Sequence, residues 1–215
     1  MAAEHLVVIG DCRRMKEVKT ASVQLILTSP PSFAAEAEYN LCNFELYLRG
    51  MQQVFSECSR VLQSGRCLCL NFSDSAEPYS QAHLSLALKR AGFQYCDDLL
   101  WRRPSGHFER TLVFLKGKPD YGRLVSLDES LSCWPGQVDA ADPFPQEIIE
   151  SLICRYTFEH ELVLDPFLGS GATSKVANQL NRRSIGYASE PNSLPFIRKN
   201  IAESRLKVVF RGEGD

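Results

Sequence analysis

Two short loops hold the residues whose types and spacing could do chemistry. The first reads Thr28-Ser29-Pro30-Pro31 and closes an apolar run. Consecutive prolines lack backbone N–H groups and have fixed φ, so they lock the chain there. A locked backbone can aim a carbonyl and the Ser29 hydroxyl at one point, and both accept hydrogen bonds. That pairing suits a substrate that presents N–H donors. The second loop reads Asp165-Pro166-Phe167-Leu168-Gly169-Ser170-Gly171. Two glycines one residue apart permit a tight turn and let a ligand approach bare backbone. On that reading a side chain at Gly171 meets the ligand, so Gly171→Val abolishes binding and leaves the fold intact. The loop lacks the third glycine of the dinucleotide fingerprint and the Gly-Lys-Ser/Thr of a phosphate loop, which disfavours NAD and nucleoside triphosphates.

Alternating strands and helices must position both loops. Apolar runs predict strands over residues 5–9, closed by Gly10-Asp11, and over 23–27, ended by the first loop. Phe44, Tyr47, Leu48, Met51, Val54, Phe55, Cys58, Val61 and Leu62 recur at helical spacing and predict a helix over 44–62. Strands are predicted at 66–72, 93–101 and 109–116, with a helix at 81–91 closed by Gly92. Residues 117–142 have no clear period and read as a loop or small insertion. Pro145 opens a helix through Cys154, and a strand over 161–164 runs into the glycine loop. A helix to about Leu180, a strand at 184–189, a helix after Pro191 and a strand at 207–210 complete the chain. This order predicts one α/β domain over residues 1–215, with a mostly parallel sheet and helices on both faces. Both loops then sit outside the carboxyl ends of strands, where open α/β sheets bind ligands.

Composition sets bounds. The chain has 215 residues, 44% hydrophobic and 23% charged, as in an ordinary globular domain. No apolar stretch approaches the roughly 20 residues that span a bilayer. Residues 1–5 lack the basic and apolar runs of a secretory signal, so a cytoplasmic location without membrane attachment is expected. Cysteines such as Cys67, Cys69, Cys96 and Cys154 lie in apolar segments and read as reduced thiols packed as small hydrophobes. Their spacing does not suit zinc, and no metal is expected. The net charge of −2 does not advertise nucleic-acid binding. Arg102-Arg103, Lys116-x-Lys118 and Arg182-Arg183 are the candidate basic patches.

Together the two loops resemble the amino-methyltransferases of DNA that modify the exocyclic amine of cytosine or adenine, in the permuted motif order called β. In that order Ser/Asp-Pro-Pro precedes Phe-x-Gly-x-Gly, as Ser29-Pro30-Pro31 precedes Phe167-Leu168-Gly169-Ser170-Gly171 here. Gly10-Asp11, the run from Val54 through Arg60-Val61-Leu62 to Gly65, Pro143-Phe144-Pro145 and Asn181-Arg182-Arg183-Ser184-Ile185-Gly186 resemble further family segments in order. The resemblance implies a Rossmann-like methyltransferase fold and S-adenosyl-L-methionine as cofactor. It places Asp11, Thr28, Asp165, Phe167, Gly169 and Gly171 on the cofactor side. Ser29, Pro30 and Pro31 would hold the target amine, whose lone pair is delocalised into the ring until its N–H bonds are accepted. The target base must be flipped out or presented single-stranded.

Three departures from the family pattern stand out. The aromatic residue after the second proline is Ser32, with Phe33 next to stack on the base. The acid expected after Ile185-Gly186-Tyr187 is Ala188, and Glu190 shares its face if the strand continues, so Glu190 takes the ribose hydroxyls. The segment for target recognition, about 106–142, is short. The expected activity is methylation of the exocyclic amine of a nucleic-acid base, N4 of cytosine in DNA ahead of N6 of adenine. The same chemistry on RNA and a catalytically silent nucleic-acid-binding relative stay open. Nucleic acid and a second copy, as a homodimer, are the partners considered.

Overall fold

Every residue of the strand that ends in the first loop is buried, as a central parallel strand covered on both faces requires. The computed structural model describes residues 4–31, 33, 44–73, 80–102, 108–119, 133–134, 144–201 and 205–211. Among these, nine strands form one sheet: β1 His5–Ile9, β2 Val23–Thr28, β3 Leu62–Ser73, β4 Phe93–Arg102, β5 Phe108–Lys116, β6 Cys133–Trp134, β7 Leu162–Asp165, β8 Arg183–Ala188 and β9 Leu206–Phe210. Their order is β6-β4-β5-β3-β2-β7-β8-β1-β9. β5 pairs antiparallel with β3 and β4, and every other pairing is parallel.

The helices are α1 Phe44–Val61, α2 Ser80–Arg90, α3 Gln146–Tyr156, α4 Ala172–Gln179 and α5 Leu194–Asn200. Alternation along β2 divides the core between two faces. Ile26 joins Met51, Phe55, Leu84 and Leu88 of α1 and α2, whereas Leu25 and Leu27 join Ile149, Leu152 and Val176 of α3 and α4. The expected α/β architecture, mostly parallel with helices on both faces, is borne out.

The differences are local. The helical pattern extended to Leu62, but Leu62 already pairs with Val23, and the register shifts before Leu25 meets Cys67. Ser64 and Gly65 therefore lie inside β3, which begins four residues before the predicted strand. Cys67 and Cys69 are buried as expected, and burial pushes the Cys67 thiol up to about 12. Cys96 and Cys154 are exposed, so the packing role does not extend to them. Within the expected recognition segment, residues 108–116 form β5 in the body of the sheet, and most of 117–142 lies outside the described residues.

The placement that matters is at the centre. β2 and β7 are parallel neighbours, with Leu25 opposite Val163 and Ile26 opposite Leu164. The next strand after β2 adds on one side, and the next after β7 adds on the other. The 28–31 and 165–171 loops thus leave the same edge of neighbouring strands, at the point where the strand order reverses. A crevice opens there because the two chains diverge to opposite sides of the sheet.

Candidate active site

Asp165 ends β7 and holds the switch point together. Its carboxylate accepts hydrogen bonds from the Thr28 hydroxyl at 2.6 Å, the Thr173 hydroxyl at 2.7 Å and the Phe167 N–H at 3.0 Å. One buried side chain therefore joins β2, the glycine loop and α4. Burial pushes its carboxyl above the ordinary range, and the three donors offset part of that rise. Gly171 caps α4 with φ +89, a conformation open to glycine.

In front of this buried core lies a cavity of about 1090 Å³. Asp11, Ser29, Pro31, Phe167, Gly169 and Glu190 border it. Thr28, Asp165 and Gly171 are buried and do not, while Pro30 and Phe33 are half-buried outside its lining. A Cβ built at Gly171 meets Ile197 of α5, at 3.1 Å from Cγ1 and 3.4 Å from Cα. A valine there strains the fold itself, contrary to the expectation of an intact fold. At Gly169, φ is +51 and a Cβ meets only the Phe167 carbonyl, at 3.9 Å. Gly169 is thus the glycine with open space beside the cavity.

Polar contacts set the site's chemistry. The Ser29 hydroxyl donates to the Asn71 carbonyl at 3.4 Å, so its lone pairs remain to accept. The Tyr47 hydroxyl donates to the Pro31 carbonyl at 3.0 Å and fixes the end of the loop. Burial pushes the Asp11 carboxyl up, but the Arg13 side chain at 2.7 Å and backbone N–H at 2.8 Å outweigh it and hold it below the usual range. β8 stops at Ala188, so the shared-face argument for Glu190 does not hold; a bend brings its exposed side chain to the cavity instead.

Phe33 packs edge-on to Phe44, with ring centroids 5.2 Å apart, and tilted against Tyr47 at 5.8 Å. Ser32 lies outside the described residues. Sequence reading missed the contribution of α1, which turns Tyr47, Arg49 and Gln53 to the cavity. Arg49 and Gln53 stand four apart, one helical turn, and that polar pair was the available signal. The candidate basic patches fare differently. Lys116 donates to the Ser59 and Leu62 carbonyls, and Arg182 to the Thr157 and Leu180 carbonyls. Both lie at the sheet's opposite edge and do structural work. Arg103 and the Arg102 side chain lie outside the described residues.

The residues present fit a nucleoside-bearing ligand of the size of S-adenosyl-L-methionine. The cavity reaches the upper end of the roughly 300–1,000 Å³ usual for small-molecule sites. Carboxylates at Asp11 and Glu190 offer acceptors for hydroxyl and amino groups, and bare backbone at Gly169 allows close approach. Among the described residues, no cluster of His, Cys, Asp and Glu could hold a metal ion.

Comparison with known proteins agrees with this geometry. Residues 23–122 and 134–199 match the N6/N4 DNA methylase family. The type II methyltransferase M.MjaI of Methanocaldococcus jannaschii is 26% identical over 293 aligned positions, covering 99% of this chain and 97% of that protein. TTHA0409 of Thermus thermophilus, assigned as a DNA modification methylase and crystallised with S-adenosyl-L-methionine, superposes with a TM-score of 0.77 at 23% identity, covering 97% of this chain and 99% of that one. The cytosine-N4-specific PvuII DNA methyltransferase gives a TM-score of 0.76 at 17% identity, covering 96% of this chain and 89% of that one. With a switch-point cavity, the Ser29-Pro30-Pro31 loop on one side of it and the glycine loop on the other, this chain belongs to the N6/N4 DNA methylase family.

Proposed function

We propose that this chain transfers a methyl group from S-adenosyl-L-methionine to the exocyclic amino group of cytosine, at N4, in DNA. The observation that carries the reading is the Ser29 hydroxyl, which borders the cavity and donates its own proton to Asn71, leaving acceptor capacity toward a substrate amine. In the family this chain resembles, Ser in place of Asp before the two prolines leans toward cytosine, and a cytosine-N4-specific enzyme shares the fold. Gly169, Phe167, Asp11 and Glu190 would hold the cofactor, which supplies an electrophilic methyl on a sulfonium centre when bound.

The protein's part is orientation. The Ser29 hydroxyl, with a backbone carbonyl of its loop, accepts the N–H bonds of the amine and draws its nitrogen toward a tetrahedral form, freeing the lone pair to attack. The two prolines and the Tyr47 hydrogen bond to Pro31 fix those acceptors in advance, so no reorganisation is needed during reaction. Proximity across one cavity turns the transfer into an effectively unimolecular step.

A tritiated methyl-transfer assay on duplex DNA, single-stranded DNA and total RNA, followed by nucleoside mass spectrometry, tests this. The expected product is N4-methylcytosine in DNA. N6-methyladenine would overturn the choice of base, label confined to RNA would overturn the substrate, and a methyl on a ring carbon would overturn the chemistry. A melting temperature raised by the cofactor without any transfer would point to a silent family member.

A further inference from the structure

Arg211, at the end of β9, lies outside the cavity yet grips two elements that border it. Its backbone N–H continues the pairing with β1 by donating to the Ile9 carbonyl at 3.0 Å. Its aliphatic stem crosses Gly10, where a Cβ would stand 3.0 Å from the arginine Cβ and 3.1 Å from its Cδ. The guanidinium then donates through Nη1 to the Asp11 carbonyl at 2.9 Å, through Nε to Glu17 at 2.8 Å, and through Nη2 to the second Glu17 oxygen. That same Glu17 oxygen accepts the Tyr187 hydroxyl at 2.8 Å, and the guanidinium carbon lies 5.6 Å from the Tyr187 ring centroid.

Gly10, Asp11 and Tyr187 all border the cavity; Glu17 and Arg211 do not. The early Gly-Asp pair thus has a second reason for its glycine. The residue must be bare so that a side chain from the far end of the sequence can cross it and reach the next peptide. We propose that Arg211, with Glu17 as its anchor, is a positioning residue for the cofactor side of the site. It fixes the Gly10-Asp11 peptide and the Tyr187 ring in the arrangement the nucleoside end of the ligand requires. The inference rests on reading this cavity as the S-adenosyl-L-methionine site. The forked bond to a carboxylate adds directional precision that a single point charge lacks. Burial pushes the Glu17 carboxyl up, but Arg211, a backbone N–H and Tyr187 together bring it below its usual range, in keeping with a charged anchor.

The test compares Arg211→Ala, Arg211→Lys, Glu17→Gln and Tyr187→Phe with the unmodified chain, by calorimetric binding of S-adenosyl-L-methionine and by steady-state methyl transfer to DNA. Arg211→Ala should raise Kd and KM for the cofactor about tenfold or more. Its kcat at saturating cofactor should stay within about twofold, with KM for DNA unchanged, since uniform binding is lost and not a contact made at the transition state. Arg211→Lys should recover part of the loss, and Glu17→Gln and Tyr187→Phe should each raise KM for the cofactor about threefold. Unchanged cofactor KM in Arg211→Ala overturns the proposal, as does an equal loss in kcat and both KM values alongside a lowered melting temperature. If Arg211→Ala does not fold, Tyr187→Phe decides, because it removes one hydroxyl, and an unchanged cofactor KM there is a refutation. Failure of the unmodified chain to bind the cofactor overturns the inference through its premise.

Discussion

The two edges of the sheet carry similar side chains and do different things with them. At the amino edge, His5 Nδ1 lies 2.8 Å from the Ser184 hydroxyl, which lies 2.9 Å from the Ser174 hydroxyl, and His5 Nε2 lies 3.2 Å from Asn178 Oδ1. A serine within hydrogen-bond reach of a histidine is a geometry nucleophilic enzymes use. Here both residues are buried and neither borders the cavity at the carboxyl edge. At the carboxyl edge, Ser29 has one weak hydrogen bond and an open cavity in front of it. Residue types alone therefore do not mark a site. The reversal of strand order opens a crevice at the carboxyl edge, whereas the polar groups around His5 satisfy each other.

Ser29→Ala probes this contrast most directly. Loss of one preorganised acceptor should lower kcat about 10²-fold, in the range for removing one such hydrogen bond from a site. Cofactor Kd and melting temperature should barely move. Full activity would mean that the carboxyl edge is no more specialised at Ser29 than the amino edge is at Ser184. Next in size is the contrast between the two glycines. Gly169→Ala places a methyl group beside the cavity and should weaken cofactor binding about tenfold, with roughly 1–2 kcal/mol lost to the left-handed backbone. Gly171→Ala adds the same backbone strain to a collision with Ile197, so a further 1–3 kcal/mol or so of stability should go, roughly the cost of overpacking. Calorimetry and thermal melting on both variants separate the effects. Glu190→Ala should be milder still, raising cofactor Kd a few-fold, because the side chain is exposed to solvent at the cavity rim.

Much of the fold was legible because it rests on local signals. Apolar runs of strand length, one amphipathic helical stripe, and proline or glycine at the ends of runs identified the elements. The two loops were legible as a pair because each follows a strand. What stayed hidden depends on contacts far apart in sequence. Asp165 reads as a ligand-facing acid beside a glycine loop, but Thr28, 137 positions away, claims its carboxylate. Gly171 reads as room for a ligand, and only the packing of α5 reveals Ile197 in that space. Lys116 reads as a surface charge, yet carbonyls at the end of α1 and the start of β3 bind it. Tyr47 sits in the apolar stripe of α1, so its hydrogen bond to Pro31 was invisible to periodicity.

The smallest effect on turnover is expected at His5, and its pH dependence separates the two edges further. Burial lowers the imidazole's pKa from its usual 6.5, with the Asn178 hydrogen bond opposing that fall and nearby Arg205 adding to it. Below pH 6.5 the unfolded chain takes up a proton that the folded chain resists, so the unfolded state binds more protons and stability falls as pH drops. His5 therefore contributes its full stability above its unfolded pKa and loses it on acidification. His5→Ala leaves Ser184 and Asn178 short of a partner and should cost about 1–3 kcal/mol at about pH 7.5. The variant's stability should then decline less steeply than that of the unmodified chain between about pH 7.5 and about pH 5.5, the window that brackets the imidazole's unfolded titration. Denaturant melts across that window measure both quantities. Turnover per folded molecule should not change, because nothing at the amino edge reaches the cavity. A loss of kcat at saturating cofactor and DNA in fully folded His5→Ala would show that the two edges communicate, and the separation drawn between them would fail.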